Sequence, residues 1–331
     1  MPNMKEFKHI NAKTVAEASA ELAKAAGKGA LIAGGTDLLG VIKSDILPDY
    51  PTVVINLKTI PGLDTIKEEA GVLKIGALAT VADIAANATV KGGYSLLATA
   101  ASRVSATILR SMGTIGGNLC QKTRCWYYRY PNEMGGRIFC FRKGGQLCFA
   151  VPGDNRWHSI LAGQVCFAPF PSDIGTALSA LNAKIITNKK PAGIPIDEFY
   201  IVLGNVLAQD EIVTEIQVPK PAATVKQYFY KQAYRRAIDW ALVSVATAID
   251  VQGGTVASAR ISLGAVAPIP YRAIAAEDSL KGKAINETTA TAAGNAAVAD
   301  AFPLNANPPK SPGNAYKVQI AKTLVKRAIL A

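Results

Sequence analysis

All five cysteines of this 331-residue chain, Cys120, Cys125, Cys140, Cys148 and Cys166, fall between Asn118 and Pro171. Thiols scattered at random would not confine themselves to so short a stretch. Crowding of this kind serves a shared ligand, a set of disulfides, or both. The spacing is C-x4-C-x14-C-x7-C-x17-C. It contains no C-x-x-C pair, so it is not a zinc ribbon, although four thiolates from such a set suit a zinc ion as well as an iron–sulfur cubane. His158 is the only histidine in this stretch and reads as an ordinary surface or core residue rather than a ligand.

Two glycine turns carry the other candidate chemistry. Leu31-Ile32-Ala33-Gly34-Gly35-Thr36-Asp37 closes one apolar run, and Thr114-Ile115-Gly116-Gly117-Asn118 closes another further along. Glycine lacks a Cβ, so it turns sharply and lets backbone N–H groups approach an anion. Two such nests suit the two phosphates of a dinucleotide. Neither reads G-x-G-x-x-G, so a Rossmann phosphate loop is not implied. On spacing alone, two ordinary tight turns explain them equally well.

The elements that must position these residues follow from caps and periodicity. Thr14 with Glu17 forms a capping box that opens a helix through Ala18, Leu22 and Ala25, stopping near Gly27. A strand at 30–33, the first glycine turn and a strand at 52–57 complete a small βαβ-like unit. Next come a strand at 72–77, a helix capped by Thr80 with Asp83, and an alanine-rich helix at 95–106. Ser172 and Asp173 cap a helix over 174–181. Residues 211–218 alternate with period two, as a half-buried strand does, and end at Pro219. Beyond, 229–234 reads as a strand, and 241–251 with 256–263 as a hairpin around Gly253-Gly254. Alanine-rich helices at 288–302 and 315–330 flank a loop at 303–313.

Composition bounds the class. Hydrophobic residues make up 50% of the chain and charged residues 18%, as in a globular protein with a full core. No apolar run reaches the ~18 residues a membrane span needs. The start, Met1-Pro2-Asn3-Met4-Lys5-Glu6, has no apolar signal core. With an odd cysteine count, this points to a reducing compartment. The net charge of +12, from 36 basic and 24 acidic residues, fits acidic partner subunits or phosphate-bearing ligands. Basic residues are scattered and no RNP-type block appears, so a nucleic-acid partner is not expected.

The ordered set Ala33-Gly34-Gly35-Thr36-Asp37, Thr114-Ile115-Gly116-Gly117-Asn118, Pro171-Ser172-Asp173 and Lys231-Gln232-Ala233-Tyr234-Arg235-Arg236 resembles the FAD-binding medium subunit of the molybdenum hydroxylases. That family includes xanthine dehydrogenase, carbon monoxide dehydrogenase and bacterial aldehyde oxidoreductases. The resemblance implies an α+β fold. An FAD-binding domain of the vanillyl-alcohol oxidase / CO dehydrogenase flavoprotein type would be built of two α/β subdomains, at 1–60 and 61–222. A C-terminal three-stranded antiparallel sheet with helices would follow at 223–331.

The resemblance also implies site residues. Leu31, Ile32, Ala33, Gly34, Gly35, Thr36, Asp37 and Leu38, with Thr114, Ile115, Gly116, Gly117 and Asn118, would wrap the FAD pyrophosphate. Asp173 matches the family's acidic residue at the cofactor, Lys231 a lysine near the flavin ring, and Val213 an apolar contact at the ring. Thr80 would lie close to the phosphates. Read as residues alone, Lys231 is a solvated strand lysine, Asp173 a helix cap and Val213 core.

The departure from the common family pattern is residues 119–170. This insertion resembles the one in 4-hydroxybenzoyl-CoA reductase and in iron–sulfur aldehyde oxidoreductases, whose medium subunit carries an extra [4Fe–4S] cluster. The resemblance points to Cys125, Cys140, Cys148 and Cys166 as its ligands, with Cys120 beside the flavin. A set with Cys120 in place of Cys166 is not excluded by chain geometry. Lys122, Arg124, Arg129, Arg137, Arg142 and Lys143 would offset the cluster's negative charge or form a solvated face. Trp126, Tyr127, Tyr128 and Phe139 would shield the cluster or pack the insert.

The implied function is a FAD-containing electron-transfer subunit of a molybdopterin-dependent oxidoreductase. Its expected partners are a large molybdopterin-binding subunit, a small subunit with two [2Fe–2S] clusters, and a ferredoxin-like electron carrier. No catalytic residue for substrate chemistry is expected on this chain. The expected location is the cytoplasm, or the periplasm by export on a partner's signal. The alternatives are a self-contained FAD oxidase of the vanillyl-alcohol oxidase type and a non-catalytic scaffold bearing a cluster or zinc.

Overall fold

The computed structural model describes residues 4–235, 237–309 and 311–331. The first three residues, Lys310 and Arg236, the last residue of the lysine-bearing motif, lie outside them.

Three larger sheets follow one another along the chain, and Tyr200–Ile201 pairs with Gly204–Asn205 in a small two-stranded one. The first is parallel, with Val53–Asn56 between Lys8–Asn11 and Gly29–Ile32. The helix Val15–Lys24 buries Ala18 and Leu22 against it. Thr14 caps this helix by accepting from the Glu17 amide at 3.1 Å, while the Glu17 carboxylate accepts from the Lys13 amide. Lys8–Asn11 escaped the sequence reading because it is a polar edge strand with only one half-buried residue.

The central sheet is antiparallel and five-stranded. Val213–Pro219 lies between Val72–Gly76 and Lys184–Thr187, with Ile66–Glu69 and Ile194–Pro195 outside. The helices Val81–Ala86, Ser95–Ser102, Ile115–Cys120 and Asp173–Ala180 contribute to its core. Thr80, Thr114 and Ser172 each accept an amide hydrogen bond at a helix start. These β-region caps fix where the helices begin.

The C-terminal sheet pairs Val225–Gln232, Val243–Gln252, Thr255–Gly264 and Tyr271–Arg272 in that order. It therefore has a fourth, two-residue edge strand beyond the three expected, too short to leave a periodic signal. Ile274–Leu280, Glu287–Ala296 and Tyr316–Leu330 accompany this sheet and pack into its core. The first of these helices was not legible in the sequence.

Residues 119–170 hold no strand among the described residues, and past the end of Ile115–Cys120 only two 3-10 turns, Asn132–Met134 and Phe141–Lys143. The insert borrows its packing. Tyr128 and Cys140 cluster with Val41 and Ile46 of the N-terminal subdomain, and Ile160 and Leu161 join the C-terminal core.

Ile216 is fully buried at the middle of the central sheet, opposite Ile75 on one side and Ile185 on the other. Ile216→Ala should cost about 2–5 kcal/mol. The expected outcome is a lower thermal midpoint with flavin content unchanged well below the transition.

Candidate functional site

A cleft of about 870 Å³ lies between the N-terminal and central sheets, with Arg235, Ile238, Asp239 and Trp240 of the C-terminal part also lining it. This lies within the range of about 300–1,000 Å³ usual for ligand sites. Leu31, Ile32, Ala33, Gly34, Gly35, Thr36, Asp37 and Leu38 line one side. Thr114, Gly117, Asn118 and Cys120 line the other.

The glycines are there because the two sides touch backbone to backbone. A Cβ on Gly34 would fall 1.8 Å from the Met112 carbonyl oxygen, and Gly35 has φ +70°. The first turn is thus a close approach that only glycine allows. The second differs from the expected turn. Residues Ile115–Cys120 form a short helix capped by Thr114, whose hydroxyl accepts from the Gly117 amide at 3.2 Å. Gly116 packs beneath it, with its amide on the Ala77 carbonyl at 2.9 Å. Ile115 and Gly116 therefore support the cleft from below and do not line it.

Thr80 and Val213 are also placed away from the cleft. Thr80 bridges to Thr114 and caps its own helix. Val213 is buried in the central core. Both belong to elements that hold the cleft wall, and neither side chain reaches its surface.

Lys231 and Asp173 form an ion pair at 2.8 Å with side chains only 6% and 7% exposed. Lys231 Nζ also donates to the Arg103 carbonyl at 2.9 Å. With Asn118, Ile238 and Trp240 they line a small pocket that shares Val104, Ser105 and Asn118 with the main cleft. A buried ion pair leaves an uncompensated charge if either partner is removed. Trp240 and Ile238 were not singled out in the sequence; the exposed aromatic just beyond the lysine motif was the available signal.

Asp37 does more than line the cleft. Its carboxylate pairs with Arg129 at 2.6 Å and Arg124 at 2.9 Å and accepts the Lys122 amide at 2.8 Å. Asp45 likewise pairs with Arg137 at 2.6 Å and Lys5 at 2.9 Å. Part of the insert's basic character is thus spent on carboxylates of the N-terminal subdomain. Arg124 also lies 4.4 Å from the Trp240 ring, at the cleft.

On the other side of that segment, Cys125, Cys140, Cys148 and Cys166 line one small cavity of about 20 Å³. Cys120 is not part of it and lines the cleft instead. Among the described residues no disulfide forms, and no group of three or more His, Cys, Asp or Glu side chains converges as a single-ion site. Burial pushes the Cys125 thiol up to about 12; the Tyr128 and Tyr127 amides oppose the rise, and Cys166 and Cys148 add to it. Cys148 is raised by burial too. Cys166 Sγ accepts from Arg142 Nε at 3.2 Å and from the Ala168 amide at 3.4 Å. His158 lies beside the cavity, its Nε2 3.2 Å from Cys125 Sγ. Burial drives its pKa down to about 4, with Lys317 adding to the fall. The sequence reading of His158 as an ordinary residue missed this contact, which joins residues 33 positions apart.

Comparison with known proteins shows the family. Residues 5–221 match the family described as the FAD binding domain in molybdopterin dehydrogenase. Residues 228–331 match the CO dehydrogenase flavoprotein C-terminal domain. The chain is 34% identical over 288 residues to the aldehyde oxidoreductase FAD-binding subunit PaoB of Escherichia coli K12, covering 84% of this chain and 86% of that one. It is 28% identical over 327 residues to the carbon monoxide dehydrogenase medium chain of Hydrogenophaga pseudoflava, covering 98% and 96%. A solved structure of carbon monoxide dehydrogenase from the same organism superposes with a TM-score of 0.77 at 28% identity, over 99% of this chain and 98% of that one.

Two outcomes test this geometry. Gly34→Ala should weaken flavin binding by about tenfold or more, ~1.4 kcal/mol, because its methyl displaces the Met112 backbone. Gly40→Ala, whose Cβ meets nothing within 4 Å, should retain full flavin absorbance. Asp37→Ala leaves Arg124 and Arg129 without their shared carboxylate. Limited proteolysis should then cut within 119–170 faster than in the parent protein, with the remaining domains intact.

Proposed function

This chain belongs to the FAD-binding family of the molybdopterin dehydrogenases, and from that premise we propose that it is an electron-transfer subunit carrying FAD and, in addition, a [4Fe–4S] cluster on Cys125, Cys140, Cys148 and Cys166. The observation that supports the cluster is the shared cavity. Four thiols from across the insert line it together, no carboxylate does, and the fifth thiol faces the cleft. Soft thiolate donors in that number suit an iron–sulfur centre. N–H groups already point at sulfur, from Arg142 and Ala168 on Cys166. The buried Lys143 ammonium donates to the Tyr128 carbonyl and adds positive charge beside the cavity.

FAD, when bound, supplies the exchange between two-electron and one-electron transfer, and the cluster would supply a one-electron relay. The chain's own residues provide the setting. Gly34 and Gly35 let the backbone come close to a diphosphate, and Leu31, Leu38 and Val41 exclude water along the cleft. The Asp173–Lys231 pair stands at the inner end, where Lys231 would offset negative charge on the flavin ring. Arg124 faces the cleft and its neighbour Cys125 faces the thiol cavity. One peptide link thus separates the two sites, which favours electron passage between them.

The relatives named as medium chains and FAD-binding subunits support a place beside other subunits. We assign substrate chemistry to a large molybdopterin-binding subunit and the supply of electrons to a small subunit with two [2Fe–2S] clusters. A ferredoxin-like carrier is the external partner. The chain's net charge of +12 suits acidic company on these faces.

The test is iron per FAD in five Cys→Ser proteins, purified with a tag on this chain and analysed for molybdenum, iron and zinc. Serine at 125, 140, 148 or 166 should each lose iron, and Cys120→Ser should keep it. Zinc in place of iron, or iron lost from Cys120→Ser and kept in Cys166→Ser, overturns the ligand set. Recovery of the chain alone with full substrate turnover and no molybdenum overturns the subunit reading.

A further inference from the structure

His158 is 2% exposed, and among the described residues its ring makes one hydrogen-bond contact, with Cys125, whose Sγ lies 3.2 Å from Nε2. Its other ring nitrogen, Nδ1, is buried with no hydrogen-bond partner among the described residues. The residue is nonetheless held firmly through its backbone. Its amide donates to the Asn155 carbonyl at 2.8 Å, and its carbonyl accepts from Asn314 Nδ2 at 3.1 Å and Lys317 Nζ at 3.2 Å. Lys317 is fully buried and donates as well to the carbonyls of Trp157 at 3.0 Å and Ala265 at 2.7 Å. No carboxylate pairs with it among the described residues. A buried ammonium with satisfied N–H groups and no counter-charge is costly unless an anion lies nearby.

The atoms restrict what the imidazole can do. A thiolate that ligates iron has no proton to give, so a nitrogen 3.2 Å away must present its N–H to it. The ring then donates from Nε2 and leaves Nδ1 bare. Nδ1 has no partner among the described residues, as that arrangement requires. A hydrogen bond to a cluster sulfur draws electron density from the thiolate and favours the reduced cluster.

We propose, resting on the cluster reading above, that His158 is a positioning residue whose Nε2–H bond to the Cys125 thiolate raises the reduction potential of the iron–sulfur centre. Lys317 and Asn314 fix its place from the C-terminal domain.

The experiment is an EPR-monitored redox titration of the purified complex in the parent protein, His158→Leu and His158→Gln, with iron and flavin measured in each. His158→Leu should keep its iron and show a more negative midpoint. His158→Gln, whose amide restores an N–H donor, should return most of the shift. The chain has only two histidines, His9 and His158. With [15N]histidine, the parent cluster signal should therefore carry a weak nitrogen coupling that His158→Leu lacks. An iron-replete His158→Leu with an unmoved midpoint overturns the proposal and leaves the cluster reading intact. A strong coupling of directly bound nitrogen also overturns it, making His158 a ligand. Should His158→Leu lose its iron, the parent coupling decides, and its absence refutes the hydrogen bond. A parent complex with no iron on this chain removes the cluster reading and this inference together.

Discussion

The Asp37 carboxylate ties together the two parts of the molecule that matter most. It sits where the close-packed glycine loop leaves the cleft, and it holds Arg124, Arg129 and the Lys122 amide of the insert. All three side chains are largely shielded. Pairs of that kind are worth more than exposed ones, which typically contribute about 0–1 kcal/mol, and breaking them strands a charge. The cleft loop and the start of the cysteine-rich segment therefore cannot separate without exposing two guanidinium groups. Asp45 repeats the arrangement further along with Arg137 and Lys5.

Those anchors are needed because the insert has little structure of its own. Past Cys120, residues up to 170 form no sheet and no α-helix among the described residues. Their buried side chains complete cores belonging to other parts: Tyr128 and Cys140 against Val41 and Ile46, Ile160 and Leu161 against the C-terminal sheet. A long loop without internal pairing loses much conformational entropy when ordered. Hydrogen bonds from Lys317 and Asn314 to the 157–159 backbone secure its far end. A metal centre bridging four points along such a loop would close several segments at once, and its binding free energy would become folding free energy.

Local features were legible in the sequence and long-range ones were not. Thr14, Thr80 and Ser172 announced helix starts because a cap and its helix lie within four residues. The Gly253-Gly254 hairpin was equally plain, since both glycines take positive φ. The second glycine motif misled because Gly-Gly is a turn signal, whereas here Thr114 caps a helix in which Gly116 packs against Ala77 and Gly117 against the Thr114 hydroxyl. The sequence could not show that Asp37 meets Arg129 across 92 positions, or that Val213 turns its side chain into the core. The grouping of the cysteines was visible as clustering along the chain. The resemblance had already set Cys120 apart from the other four; what needs the fold is the single cavity that the four line together.

That division is what links the two sites. Residues 118–125 run along the shared wall: Asn118 and Cys120 face the cleft, Arg124 stacks by Trp240, and Cys125 opens on the thiol cavity. Helix Ile115–Cys120 fixes one end of this wall through the Gly116 amide on Ala77, and Asp37 fixes the other through the guanidinium groups. A wall held at both ends sets the separation of its two faces.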